Sequence, residues 1–300
     1  MRTGSAGLAR LDRTHVRRSF DRASGRYDRA AVLQERVRAE LLARLDLIEL
    51  QPSVVLDLGA GTGRASLELR RRYRRALVVA LDIAPGMLHE ARRHSRPFRR
   101  FERVCADAFR LPLASASVDL AFSSLLLQWC DDLDAVLAEL HRVLKPGGFL
   151  AFSTLGPDTL RELRIAWSRV DGATHVHDFI DMHDVGEALA RSGFLEPVLD
   201  IERIELTYPD ALALTRDLKA IGAHNAAATR PRGLTGRKKW AALASAYEGF
   251  RRDGRLPASY EVVYGAAWSG EAGARGTSPQ APGEVRIAPE AIRRPPPTKS

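Results

Sequence analysis

Residues 54–64 read Val-Val-Leu-Asp-Leu-Gly-Ala-Gly-Thr-Gly-Arg. An apolar run of strand length breaks into Asp57-x-Gly59-x-Gly61-x-Gly63, and a helical pattern begins at once. Glycines at alternate positions allow a tight turn and let a ligand reach the backbone. The helix start behind them leaves unpaired N–H groups for an anionic group. Asp82 then ends the next apolar run, Leu77–Asp82, 19 residues after Gly63. A carboxylate at that place accepts from both hydroxyls of a ribose. The dinucleotide pattern G-x-G-x-x-G, read from Gly59, needs glycine at position 64, where the chain has Arg64.

The surrounding rhythm supports an α/β reading. Apolar runs at Val54–Leu58, Leu77–Asp82, Phe101–Ala106, Val118–Ser123 and Phe149–Ser153 alternate with helical patterns near 64–73, 85–94 and 132–144. Such alternation builds βαβ units and a parallel sheet. Ahead of it, residues 14–45 carry helical spacing in Val16, Phe20, Val32, Leu33, Val37, Leu41, Leu42 and Leu45. Behind it, helices are expected over 157–170 and 181–190, strands over 198–207 and 260–268, and a helical run at 238–250 within a polar, basic stretch from 210 to 258. No internal repeat is evident.

Five segments in order resemble the motifs of class I S-adenosylmethionine methyltransferases. They are Asp57-x-Gly-x-Gly-x-Gly, Asp82-Ile83-Ala-Pro-Gly-Met87, Cys105-Ala-Asp107-Ala108 with Leu111-Pro112, Phe122-Ser123-Ser124, and Arg142-Val-Leu-Lys-Pro-Gly-Gly148. Ala84 stands where that family commonly has Ser. The resemblance implies a Rossmann-like fold, seven strands in a mostly parallel sheet with one antiparallel strand, and S-adenosylmethionine as cofactor. It implies cofactor contacts at Asp57 (beside the methionine ammonium), Gly59, Gly61, Gly63, Asp82, Ile83, Met87, Asp107, Ala108 (the adenine turn) and Ser123, with Tyr27 from the arm above.

The flanks are similar to the malonyl-[acyl-carrier-protein] O-methyltransferase family over roughly residues 14–268. The similarity rests on Phe20-x-Arg-Ala-x-x-x-Tyr27-x-x-x-Ala31-x-x-Gln34, Ser124-x-x-x-Gln128-Trp129, Phe152-Ser-Thr154-Leu155, Thr159-Leu160-x-Glu162-Leu163-x-x-x-Trp167, Leu218-Lys219 through His224-Asn225, and Arg232-Gly-Leu-Thr-Gly-Arg237. The implied reaction methylates the free carboxylate of a malonyl thioester on acyl carrier protein, which starts pimeloyl and biotin synthesis. That carboxylate is already ionised at pH 7, so the chemistry needs no general base. A cation should orient it, and Arg232, Arg237, Arg161 and Lys219 all remain open for that role. Gln128 and Trp129 are expected at the acceptor pocket. Two other readings stay in view: an arginine hydroxylase and assembly factor for a respiratory-complex protein, which resembles the same family, and a methyltransferase for a free small molecule.

The implied organisation is a disordered terminus at 1–13, a helical arm over the cofactor at 14–50 and a cofactor-binding core at 51–208. A helical cap at 209–258, a last core strand at 259–269 and a disordered tail at 270–300 complete it. Composition narrows the setting. No run of 18 apolar residues is present, no apolar leader opens the chain, and Cys105 and Cys130 form neither a metal spacing nor a disulfide framework. His175-x-His177 with His183 has no neighbouring acids in the set spacing of a metal site. A cytoplasmic enzyme without metal, membrane, nucleic acid or obligate oligomer is therefore expected.

The net charge is +9, from 46 basic and 37 acidic residues. Residues 1–50 hold 11 basic and 7 acidic groups and residues 210–269 hold 10 and 5, whereas residues 51–209 hold 20 and 22. The excess lies off the scaffold, so a basic cap facing the acidic carrier protein is expected.

Overall fold

The structure, a computed structural model, describes residues 10–95, 100–223, 225–230, 233 and 235–270. Arg232 and, of the tail expected over 270–300, residues 271–300 lie outside the described residues. Seven strands form one sheet in the order β3-β2-β1-β4-β5-β7-β6. They are β1 Val54–Leu58, β2 Leu77–Asp82, β3 Glu102–Cys105, β4 Val118–Ser124, β5 Leu144–Leu155, β6 Phe194–Tyr208 and β7 Leu256–Ser269. All neighbours pair in parallel except β7, which runs antiparallel to both β5 and β6.

Nine α-helices are described: α1 Arg13–Ala30, α2 Val32–Arg44, α3 Arg64–Arg72, α4 Pro85–Ala91, α5 Leu133–Val143, α6 Arg161–Ser168, α7 Met182–Arg191, α8 Ala211–Ala220 and α9 Arg237–Glu248. They cover both faces, because the strands alternate their side chains between two cores. Val55, Leu120 and Phe122 enter one core with Leu33, Val37 and Leu41 of α2. Leu56, Leu58 and Ala121 enter the other with Val136, Leu137 and Leu140 of α5. Side chains as fully buried as Phe122 and Phe152 each contribute roughly 1.5–3 kcal/mol.

The chain differs from the sequence expectation in extent more than in order. The single helix expected over 14–45 is two helices, hinged at Ala31 (φ −83°, ψ 45°). That hinge lets α1 leave the sheet and lie against α4 and α8, while α2 stays on β4 and β5. The stretch after Asp210 forms α8, which sequence reading did not anticipate; Asp210 caps it by accepting from the Ala213 N–H at 2.8 Å. Strands β6 and β7 run longer than expected because they pair with each other from Tyr208–Leu256 to Phe194–Ser269. Residues 10–13, assigned to a polar terminus, are tied down: Leu11 bridges Ala227, and Asp12 caps α1 through the His15 N–H at 2.9 Å. Among the described residues, no helix is long and apolar enough to cross a membrane.

Candidate active site

The strand order reverses between β1 and β4, and an open α/β sheet binds ligands beyond the carboxyl ends of the strands at such a point. A crevice lies there. Its apolar part, about 790 Å³, is lined by Gly59, Gly61, Asp82, Ile83, Met87, Asp107, Ala108, Phe109 and Ser124, with Arg13, Phe20 and Tyr27 of α1 above. A polar part, about 690 Å³, adds Asp57, Thr62, Gln34 and Arg38. The two share Tyr27, Gly59, Gly61 and Ser124.

Strand alternation positions the acids of β1 and β2. Asp57 shares the Val55 face of β1, one residue from Leu56 on the other, so its carboxylate sits beneath the polar crevice. It is 1% exposed. Its Oδ2 accepts from the Ser66 hydroxyl, and among the described residues no cation pairs with it. Burial therefore pushes its carboxyl up to about 7. Asp82 ends β2 with both oxygens engaged, Oδ2 by the Gly61 N–H at 2.9 Å and Oδ1 by the Ala84 N–H at 2.8 Å. Burial also raises its carboxyl. Asp107 accepts from the Phe109 N–H at 3.1 Å and faces Arg13 Nη1 at 3.5 Å. The Arg13 guanidinium lies 4.4 Å over the Phe109 ring.

Two assignments need correction. Ser123 does not line the crevice: it is fully buried, and its hydroxyl donates to the Leu58 carbonyl at 3.0 Å. Successive strand residues face opposite sides, so Ser124 takes the place at the crevice. Gly63 also stays out of the lining. It begins α3 at φ +77°, and a Cβ there would stand 2.8 Å from Ala91 Cβ. Its role is to let α3 and α4 approach closely. Gly59 (φ +76°) does border the crevice, with Leu126 as the neighbour a side chain would meet.

A second cavity of about 770 Å³ adjoins the crevice at Phe20, Tyr27, Leu125 and Trp129. Leu155, Leu160, Leu163, Val176, Phe179 and Ile221 make most of its wall apolar, and Gln128 adds an amide. Gln128 donates to the Leu125 carbonyl at 2.7 Å and accepts from Thr154 at 3.4 Å. Trp129 meets Phe20 edge-on, 5.3 Å between centroids, and His177 at 5.0 Å. Tyr27 borders the apolar crevice, the polar crevice and this cavity alike.

The expected cations do not converge here. Lys219 is exposed on the last turn of α8, and its neighbour Leu218 lines the cavity instead. Arg237 is exposed at the start of α9, and Arg161 pairs with Glu162 at 3.1 Å. Arg232 lies outside the described residues. Sequence reading missed Arg13, which no spacing signals; it named Ser124 in two motifs but gave the cofactor contact to Ser123 alone, where strand period points to Ser124. Cys130 borders the crevice, but burial pushes its thiol up to about 12, which removes it as a nucleophile. Among the described residues no three His, Cys, Asp or Glu side chains group as metal ligands, and His175 is bonded to Asp171 at 2.8 Å.

The arrangement can take a ligand with a cationic end over Asp57, a diol at Asp82 and a flat apolar ring near Ala108. Its reactive centre would face the second cavity across Tyr27 and Trp129. Residues 56–152 match the family model of a methyltransferase domain. The chain is 57% identical over 265 residues to the malonyl-[acyl-carrier protein] O-methyltransferase of Laribacter hongkongensis, covering 86% of this chain and 89% of that protein. It is 56% identical over 268 residues to the enzyme of the same name from a Methylovorus species, covering 87% and 90%. A crystal structure of a putative methyltransferase from Bacillus halodurans shares the fold at a TM-score of 0.57 and 18% identity, covering 78% of this chain and 98% of that one.

Proposed function

The chain belongs to the malonyl-[acyl-carrier protein] O-methyltransferase family of S-adenosylmethionine-dependent enzymes, and from that premise we propose that it methylates the free carboxylate of malonyl-acyl carrier protein. The observation that carries the reading is the junction at Tyr27 and Trp129, where a crevice suited to the cofactor opens onto a mostly apolar acceptor cavity.

The buried Asp57 carboxylate fits the cofactor's ammonium, since a cation there relieves the cost of burying an unpaired charge. Asp82 fits the ribose hydroxyls; Asp107 and Ala108 fit the adenine edge, with Ile83 and Met87 packing the ring. When bound, S-adenosylmethionine supplies a sulfonium-activated methyl group. The chain's own work is to position and to dry. Phe20, Tyr27 and Trp129 wall the junction, and excluding water there leaves the acceptor carboxylate less solvated and more nucleophilic. Alignment of the two reactants is worth about 7–11 kcal/mol at most. Tyr27 stays a neutral phenol, because burial raises its hydroxyl pKa, and it offers a hydrogen-bond donor without quenching the nucleophile.

The carrier protein is proposed to dock on the basic surface of α1 and the cap. Arg17, Arg18, Arg22 and Arg26 are exposed on α1, and Lys219, Arg237 and Lys238 on α8 and α9. Helix α8 packs against both α1 and α9, which keeps the helices that carry these charges next to one another. The test mixes the chain, radiolabelled S-adenosylmethionine and malonyl-carrier protein and seeks a base-labile methyl ester. Label on the malonyl group supports the reading. S-adenosylmethionine binding without that label overturns it, and a gain of 16 rather than 14 mass units on a partner protein would point to hydroxylation.

A further inference from the structure

The polar groups around the acceptor cavity are mostly committed to the protein itself. Gln128 is bonded at both ends. Thr159 donates to the Glu261 carbonyl at 3.3 Å and accepts from its N–H at 3.1 Å. Asn225 donates to the Thr174 carbonyl at 2.5 Å and accepts from the Ala227 N–H at 3.0 Å. His175 is held by Asp171. Two residues that line the cavity each carry a buried atom without a partner among the described residues: His177 Nε2 and Gln34 Oε1.

A buried orphan of this kind calls for a ligand or water to satisfy it. His177 is 5% exposed, its ring set between Trp129 at 5.0 Å and Phe179 at 4.7 Å. Burial lowers its imidazole to about 4, so it is neutral at pH 7, and the Gln128 backbone takes the ring's other hydrogen bond. In that tautomer Nε2 is an acceptor, as is Gln34 Oε1. A malonyl group, which ends in a carboxylate, has no N–H or O–H to offer either atom. The arm that carries it does: a pantetheine thioester places amide N–H groups a few bonds beyond the sulfur.

We propose, building on the malonyl-thioester reading above, that the acceptor cavity holds the amide-bearing segment of the pantetheine arm as well as the acyl group, with His177 Nε2 accepting from an arm amide and Gln34 assisting. His177 is thus a specificity residue for the thioester arm.

The experiment compares two malonyl thioesters, one of N-acetylcysteamine and one of pentanethiol, which matches its length but has no amide. One hydrogen bond to a neutral group is worth roughly a fewfold to tenfold in kcat/KM, so the wild-type chain should prefer the amide by about that factor. His177→Leu should bring the preference to about one, with S-adenosylmethionine affinity within twofold of wild type; His177→Gln, which keeps an acceptor, should restore part of it. Malonyl-coenzyme A and malonyl-carrier protein share the arm, so His177→Leu should lower kcat/KM for both by the same factor. No amide preference in the wild type overturns the proposal even if the variant fails to fold. An unchanged preference in His177→Leu, or a loss confined to the carrier protein, overturns it too. Failure of the wild type on every malonyl thioester would instead overturn the function proposed above.

Discussion

Asp57 offers the sharpest quantitative test of the cofactor site. In the free chain, burial holds its carboxyl near 7 against an ordinary value of 3.8. The cost of ionising it in place is therefore about 4 kcal/mol, at 1.36 kcal/mol per pKa unit. Between pH 3.8 and 7 the folded chain keeps a proton that the unfolded chain has lost, so the free protein loses stability as pH rises through that window. A cation beside the carboxylate reverses the preference. Binding of S-adenosylmethionine should thus weaken by about tenfold for each pH unit below 7, until the value of one charge-assisted contact, roughly 1.5–3 kcal/mol, is exhausted. Calorimetry at pH 5.5 to 7.5 reads this directly, since an α-amino group stays protonated below about 7.7. Buffers of different ionisation enthalpy should reveal a proton released near pH 6.5. Asp57→Asn should flatten the profile and bind about 10- to 100-fold more weakly at pH 7.5. A wild-type dissociation constant that is flat across the range, with no proton released, would refute both the burial argument and the ammonium assignment.

Further outcomes follow from the packing and charge. Gly63→Ala should cost about 1–3 kcal/mol in a thermal melt, because it combines φ +77° with a Cβ contact of 2.8 Å. Trp129→Ala removes the ring that separates crevice from cavity and meets Phe20 and His177; kcat should fall on the order of 10- to 100-fold, with a smaller change in cofactor affinity by calorimetry. Joint Arg17→Glu and Arg18→Glu should raise KM for malonyl-carrier protein on the order of tenfold at low salt, with kcat unchanged and the difference shrinking in 0.5 M salt. A KM that ignores both the substitutions and the salt would remove the docking face from consideration.

Sequence reading captured what depends on local pattern. The glycine turn, the acids near the ends of β1 and β2, and the helix–strand order are set by neighbours a few residues apart, and Asp57, Asp82 and Asp107 line the crevice. It erred where the answer depends on a strand's phase: Ser123 and Ser124 are chemically alike, and only pairing with β1 and β5 decides which one faces the crevice. The hinge at Ala31 has no glycine or proline to announce it; the need for α1 and α2 to pack on different surfaces creates it. Lys219 stays outside the cavity for a similar reason. Lys219 sits next to Leu218 in sequence, but helical spacing turns one into the cavity and the other to solvent.

The manner in which α1 is attached sets how the crevice opens. Of its 18 residues only Val16, Ser19 and Ala23 are buried. Much of its hold on the glycine turn is polar: Asp28 accepts from Thr62 at 2.6 Å and Arg64 at 2.9 Å, and Asp21 from the Gly86 N–H at 2.6 Å. Bonds of that kind exchange readily with water, whereas the sheet beneath is fixed by a continuous apolar core. Peeling α1 away is therefore expected to cost less than unfolding the domain, and its amides should exchange before those of the sheet in a hydrogen-exchange measurement. A crevice covered by a helix with so few buried residues is expected to open at Ala31, with the Asp21 and Asp28 bonds the first to yield and the sheet left intact.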